Sequence, residues 1–244
     1  WAAAVEDMGL EFSKPWDRVP DLSRGPEWAT WFVGGEVSIA WNCVHRWAQR
    51  RPEAVAAVSL GEAGERRELT WAAMSDQVTR LAEALVRLGV EQGDRVAIFL
   101  PMSQEVAIAS HACAHIGAIQ VPIFSGFAAP AVAQRLQASE AKVAITTRVS
   151  SRRGREVPML EILEEARAES PSVEHAVVAP WDELVADLTG ELPPAELPSE
   201  TPYLLTYTSG TTGKPKGVVH VQGGFLVSIA RGVCYQADAG PDDV

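Results

Sequence analysis

Residues 95–124, RVAIFLPMSQEVAIASHACAHIGAIQVPIF, decide the fold class of this chain. Two apolar runs, 95–100 and 118–123, are typical of buried strands. Between them, residues 104–116 predict a helix that Gly117 ends. A strand, a helix and a strand in this order predict a βαβ unit, because parallel strands need a long crossover connection.

The same alternation continues on both sides of this unit. Upstream, Trp71, Met74, Val78, Leu81, Leu85 and Leu88 recur at three- and four-residue spacing and predict an amphipathic helix. Thr70 is placed to be its N-cap and Gly89 to follow its C-terminus. Downstream, the pattern predicts a helix over 130–139, a strand over 142–147, a helix over 159–169 and a strand over 175–179. The expected fold class is therefore α/β, with a mostly parallel, doubly wound sheet and helices on both faces.

The first 47 residues differ from the remainder in composition. Six of the eight tryptophans lie there, together with three prolines and no long periodic run. We expect residues 1–47 to be an irregular Trp-rich segment that docks onto the protein through its aromatic side chains, since aromatic residues more often pack than bind ligands. Residues 48–244 would form the first part of a larger domain.

Composition excludes several classes of protein. The chain has 47% hydrophobic and 22% charged residues, as globular proteins do. Its 32 acidic and 21 basic residues give a net charge of −11, which argues against a nucleic-acid partner. Three well-separated cysteines (Cys43, Cys113 and Cys234) indicate neither a disulfide framework nor a zinc site. No apolar run is long enough to span a membrane and no signal peptide is evident, so we expect a cytoplasmic protein.

The segment from His111 to His115 could suggest a metal site. On a helix, however, Cys113 would lie about 200° around the axis from His111, so the three side chains cannot converge on one ion. We therefore expect no metal ligands there.

Residues 203–220, YLLTYTSGTTGKPKGVVH, have the strongest chemical content of the chain. An apolar strand enters a loop of glycines, hydroxyl residues and lysines, and a second β-branched run leaves it. Gly210 and Gly213 let the backbone turn with its N–H groups exposed, which suits an anion. Hydroxyl donors from Thr208, Ser209, Thr211 and Thr212, with the charges of Lys214 and Lys216, suit a polyphosphate.

This loop is not a Walker A motif. Thr208 stands where the first glycine of that motif belongs, and Pro215 stands where its magnesium-binding hydroxyl belongs. The following Val218-Val219 favours a strand, whereas a Walker loop opens a helix. A glycine-rich hairpin without a ligand remains the simple alternative.

Residues 208–217, TSGTTGKPKG, resemble the phosphate loop of the AMP-forming adenylate enzymes, a superfamily that includes the acyl-CoA synthetases. Trp31-Phe32, Trp41-Asn42-Cys43 and the stretches 100–102, 116–118 and 124–127 are similar to the acetyl-CoA synthetase branch. The resemblance covers the chain but only the N-terminal part of such an enzyme. The chain begins at Trp1 without methionine and ends at Val244, so we expect it to be a window on a longer protein that lacks the C-terminal domain.

The resemblance implies an enzyme that uses ATP, Mg²⁺, CoA and a small carboxylic acid. The residues that it implies for the ATP phosphates are Thr208, Ser209, Gly210, Thr211, Thr212, Gly213 and Lys216. No catalytic residue is expected among these 244 residues, since the family's adenine-side Tyr-Gly-x-Thr-Glu motif and catalytic lysine have no counterpart here. We therefore expect this piece alone to be inactive.

A second basic patch follows the 142–147 strand. Arg148, Arg152, Arg153 and Arg155 place four positive charges in eight residues with no acid among them, which indicates either an anion site or a solvated loop. The resemblance implies that Arg152, Arg153 and Arg155 contact CoA, with Gly126 on the same side.

Alternatives remain open. A propionate or medium-chain acyl-CoA ligase is the nearest competitor to an acetate enzyme, and a non-catalytic nucleotide-binding or assembly module is the competitor from another class. Self-association into a homo-oligomer also stays open.

Overall fold

The computed structural model describes residues 1–208 and 216–240, with a six-stranded sheet at the centre. The N-terminal part contains α1 (Ala2–Asp7), β1 (Arg18–Asp21), β2 (Thr30–Val33), β3 (Glu36–Val37), α2 (Arg46–Arg50), β4 (Val55–Leu60) and β5 (Arg66–Thr70). The middle contains α3 (Trp71–Arg87), β6 (Arg95–Ile98), α4 (Gln104–Ile116), β7 (Ile119–Pro122), α5 (Ala129–Ser139), β8 (Val143–Thr147), β9 (Ser150–Arg152), β10 (Arg155–Val157), α6 (Met159–Ala168), β11 (His175–Ala179) and α7 (Asp182–Val185). After a proline-rich connector come β12 (Leu197–Pro198), β13 (Pro202–Thr208), β14 (Lys216–Val221) and α8 (Gln222–Arg231).

The strand order in the central sheet is β11-β8-β6-β7-β13-β14. Neighbouring strands are parallel from β11 to β13, and only the β13–β14 pair is antiparallel. The predicted α/β class with a mostly parallel sheet is confirmed. The helix predicted over 104–116 and the strand predicted over 175–179 have the observed bounds, and the other predicted elements end within two residues of the observed ones.

Helices cover both faces of this sheet. Along β6, Val96 and Ile98 point into one core, which α3 and α4 complete, while Ala97 and Phe99 point into a second core built with α5 and α6. Because both faces are buried, the strands read as continuous apolar runs in the sequence and not as alternating ones.

Two local signals position the helices as predicted. The backbone N–H of Ala73 donates to Oγ1 of Thr70 at 3.2 Å, which makes Thr70 the N-cap of α3. Gly117 ends α4 with a φ of +71°, where a side chain would be strained. A Cβ at this position would also lie 2.8 Å from Cδ1 of Leu197.

The N-terminal segment contains more regular structure than its sequence predicted. β1 and β2 form an antiparallel hairpin, and a π-helical turn at Trp41–His45 leads into α2. Elements of two to six residues are too short to produce a recognisable periodicity. The ring centroids of Phe12, Trp16 and Phe32 lie 4.7–5.3 Å apart, and Phe32 is buried with Val227 of α8. The side chains of Phe12, Trp16 and Phe32 therefore pack against one another.

Within residues 1–208 and 216–240, no helix combines the length and the apolar character that crossing a bilayer needs.

Candidate active site

The predicted phosphate loop lies between two paired strands. Thr208 ends β13 and lies opposite Lys216, the first residue of β14. The Thr208 hydroxyl is 3.5 Å from the Lys216 carbonyl oxygen, to which it can donate. The strand β14 begins at Lys216, whereas a Walker A loop would continue directly into a helix. Five predicted phosphate ligands lie outside the described residues: Ser209, Gly210, Thr211, Thr212 and Gly213.

The sheet topology brings the two predicted sites to one edge. β7, β8 and β13 run parallel to one another through the sheet, so their carboxyl ends lie on the same side. Gly126 follows the end of β7, the arginine patch follows β8, and the phosphate loop follows β13. Ligands of open α/β sheets bind at this carboxyl edge.

The arginine patch forms a small antiparallel hairpin, made of β9 and β10, which we call the arginine hairpin (residues 150–157). Arg152 lies directly opposite Arg155, so their side chains leave the hairpin on the same face. The turn between them consists of Arg153 and Gly154, with φ values of +53° and +71°. Arg148, Arg153 and Arg155 are exposed, and Arg152 is half-buried.

Gly126 and Arg152 are in direct contact. A Cβ built on Gly126 would overlap the Arg152 guanidinium group and lie 2.7 Å from Cε1 of Phe124. The guanidinium carbon of Arg152 lies 4.8 Å from the centroid of the Phe124 ring, in a cation–π arrangement. Phe124 in turn meets Phe127 edge-to-face at 5.3 Å. The absence of a side chain at Gly126 thus leaves the space that the Arg152 guanidinium group occupies beside the Phe124 ring.

An acid that the sequence argument missed holds the tip of the arginine hairpin. Glu62, in the turn between β4 and β5, accepts hydrogen bonds from the backbone N–H of Arg153 at 2.6 Å and of Gly154 at 2.9 Å. It also accepts from the Ser151 hydroxyl at 3.0 Å. The backbone N–H groups of Gly154 and Arg153 hold the pKa of the Glu62 carboxyl below its ordinary value. No sequence signal marks this contact, since Glu62 lies about ninety residues upstream.

A second polar cluster, also unexpected, joins α3, α4 and the π-helical turn through Ser75, His115 and His45. The His115 ring donates from Nε2 to the Leu192 carbonyl oxygen at 2.8 Å and so accepts at Nδ1 from His45 Nε2 at 2.9 Å. His45 Nδ1 then accepts from the Ser75 hydroxyl at 2.9 Å. Burial lowers the pKa of His45 to about 4, and the charges of neighbouring histidines act in the same direction. Both rings are therefore neutral, and their hydrogen bonds fix the tautomers.

His115 thus holds the proline-rich connector through its hydrogen bond to the Leu192 carbonyl oxygen. Among the described residues, no group of three or more histidine, cysteine, aspartate or glutamate side chains is arranged to hold a metal.

Comparison with known proteins agrees with the fold. The family model described as AMP-binding enzyme matches residues 44–244, and the model described as acetyl-coenzyme A synthetase N-terminus matches residues 1–43. The chain is 41% identical to an acetyl-coenzyme A synthetase of Mycolicibacterium smegmatis over 89% of its length, and 36% identical to one of Coprinopsis cinerea over all of it. It covers 25% and 39% of these relatives, respectively.

A solved structure extends the likeness to three dimensions. The acetoacetyl-CoA synthetase from Streptomyces lividans superposes with a TM-score of 0.91 at 31% identity, over the whole of this chain and 39% of that one. The relatives found by sequence and the solved structure are all named as CoA synthetases. The AMP-binding enzyme model matches more than half of the residues of this chain. The chain therefore belongs to the AMP-binding enzyme family.

Proposed function

We propose that the complete protein is an AMP-forming acyl-CoA synthetase, with acetate as the first candidate acid. The observation that carries the proposal is the placement of two candidate anion-binding elements, which follow the carboxyl ends of the parallel strands β13 and β8: the strand–loop–strand at 202–221 and the arginine hairpin. An enzyme that joins a nucleotide-activated acid to CoA has to hold two separate sets of phosphates. The names of the most similar relatives support the same activity.

In the proposed first step, a carboxylate oxygen attacks the α-phosphorus of ATP. The bond to the β-phosphate breaks, and pyrophosphate leaves as acyl-AMP forms. In the second step, the CoA sulfur, having lost its proton, attacks the acyl carbonyl carbon, and AMP leaves with the electrons of the mixed anhydride bond. Pyrophosphate is a highly charged leaving group, so its stabilisation is the main electrostatic task of this part of the protein.

The phosphate loop would perform that task. Thr208 and Lys216 lie at its two ends, and Ser209, Gly210, Thr211, Thr212 and Gly213 would complete the set of donors around the β- and γ-phosphates. Mg²⁺ would arrive bound to those phosphates, because magnesium in nucleotide sites is held largely by phosphate oxygens and water. The donor set of hydroxyl groups and a lysine fits such a complex, since it supplies hydrogen bonds and charge without requiring a dedicated carboxylate cage.

The arginine hairpin would bind the nucleotide end of CoA. Arg152 and Arg155 lie directly opposite each other, an arrangement that is unfavourable between like charges unless an anion lies beside them. Gly126 leaves room for Arg152 on the surface, and Arg153 extends the positive charge to the turn.

Residues 1–244 would not complete this reaction by themselves. The chain covers about two fifths or less of the relatives it matches, so we propose that segments outside it supply catalytic groups and most of the carboxylate pocket. We also propose a cytoplasmic location for the complete protein.

The proposal is tested on the complete protein by acid-dependent exchange of labelled pyrophosphate into ATP, with acetate, propionate and a medium-chain acid compared. Lys216→Ala should raise the KM for ATP about tenfold or more, since a charge-assisted contact to phosphate is lost. Lys14→Ala, which removes a lysine from an exposed ion pair with Glu36, should not. ATP binding without exchange for any acid would favour the non-catalytic module and overturn the proposal.

A further inference from the structure

We infer that Glu62 is a positioning residue for CoA, which holds the arginine hairpin in the form that binds the CoA phosphates. This inference rests on the proposed function. It assigns a role to the turn between β4 and β5, which lies far in the sequence from both predicted sites but contacts the arginine hairpin in the structure.

The contact is made by both carboxylate oxygens of Glu62. Oε1 accepts from the Arg153 backbone N–H, and Oε2 accepts from the Gly154 backbone N–H and the Ser151 hydroxyl. The two consecutive residues with positive φ turn their N–H groups toward one point, and a concave pair of N–H groups of this kind binds anions. Glu62 therefore fills, from another part of the chain, the anion site at the tip of the hairpin.

The hairpin needs such a contact to keep one conformation. Each of its strands has three residues, and an isolated two-stranded hairpin is marginal in water. The repulsion between Arg152 and Arg155 weakens it further. At its base, Val157 packs against the core beneath α5 and α6, but the tip is exposed. Glu62 provides three hydrogen bonds at that tip, so it fixes the direction in which the arginine side chains leave the surface.

The charge of Glu62, taken alone, would have the opposite effect on CoA binding. Glu62 carries a negative charge within a cluster of arginines, so its removal should strengthen the binding of any anion there. Positioning, in contrast, predicts that its removal weakens binding, because the ordering of the hairpin would then have to be supplied by CoA. Whether the removal of Glu62 weakens or strengthens CoA binding therefore separates the two explanations.

The test compares Glu62→Gln with Glu65→Gln in the complete protein. Both variants remove one negative charge from the same exposed turn, but only the first loses the second carboxylate oxygen that receives the hairpin's donors. We expect Glu62→Gln to raise the KM for CoA about fivefold or more, as the loss of hydrogen bonds to a charged group would, with the KM for ATP in pyrophosphate exchange unchanged. Glu65→Gln should leave the KM for CoA unchanged or slightly lower.

Trypsin supplies a readout that does not depend on CoA, since it cleaves after arginine. Cleavage after Arg152, Arg153 or Arg155 should be several times faster in Glu62→Gln than in Glu65→Gln, and CoA should slow it. An unchanged or lowered KM for CoA in Glu62→Gln would overturn the inference while the proposed function stands. A wild-type protein with no CoA-dependent step would overturn both the inference and the proposed function. Faster cleavage in Glu62→Gln would in that case still show that Glu62 holds the arginine hairpin in place.

Discussion

The contact between Gly126 and Arg152 gives the sharpest prediction about the CoA side of the site. Alanine at position 126 adds a Cβ that overlaps the Arg152 guanidinium group and crowds the Phe124 ring. The overlapping group is the end of a long flexible side chain, so Arg152 should move and the backbone should not. The stacking on Phe124 that is lost is worth about 0.5–1 kcal/mol at an exposed site, so the protein should fold with little loss of stability.

The effect on CoA should be larger than the effect on folding. If Arg152 donates to a CoA phosphate, its displacement removes a hydrogen bond to a charged group, which is worth about 1.5–3 kcal/mol. At about 1.4 kcal/mol for each factor of ten, the KM for CoA in Gly126→Ala should rise about 10- to 100-fold. Arg152→Ala should have a similar effect, and both variants should keep acid-dependent pyrophosphate exchange, because adenylation uses the other loop.

A double-mutant cycle tests the cause. Since Gly126→Ala acts by moving Arg152, the same change in an Arg152→Ala background should alter the KM for CoA by less than about twofold. The assay is initial-rate thioester formation at saturating ATP and acid, with exchange measured in parallel. Additive effects of the two substitutions would refute this reasoning, as would an equal loss of exchange activity in Gly126→Ala.

Three further predictions concern stability and are read from urea unfolding of the complete protein. Gly117→Ala should lower the free energy of unfolding by about 2–4 kcal/mol, because alanine would be strained at this positive φ and would overlap Leu197. Gly93→Ala, at a positive φ with open space around it, should lower it by only about 1–2 kcal/mol. Equal losses in the two variants would contradict the overlap with Leu197. Thr70→Ala should cost about 1 kcal/mol through loss of the N-cap of α3, with Thr70→Ser close to wild type, and an equal loss in the serine variant would argue against capping. In the folded protein the pKa of His45 is lowered to about 4, so between about pH 6.5 and pH 4 only the unfolded chain binds a proton at this residue. The free energy of unfolding should therefore fall as the pH decreases through this range, by up to about 1.4 kcal/mol per pH unit. His45→Phe should be less stable at pH 8 but less sensitive to this fall, and a steeper fall would contradict the assignment.

Much of the fold follows from local patterns in the sequence. The bounds of α4 could be predicted because its residue pattern and the terminating Gly117 act within one element, and those of β11 because its short apolar run does the same. The parallel sheet could be predicted because continuous apolar strands alternate with helices of sufficient length to cross over. The short elements of the first 47 residues could not, since the contact of Phe32 with Val227 joins parts of the chain that share no local signal.

The sequence by itself determined the chemistry of the two candidate sites: a loop of glycines, hydroxyl groups and lysines, and a run of arginines. Only the tertiary structure decided how those residues are arranged. Parallel strands carry both sites to one edge of the sheet, Arg152 lies on the surface that Gly126 leaves open, and Glu62 neutralises a turn that the sequence shows as purely basic. The physical reason is that local patterns depend on neighbours a few residues apart, whereas these contacts depend on strand order, which brings together residues tens of positions apart in the chain.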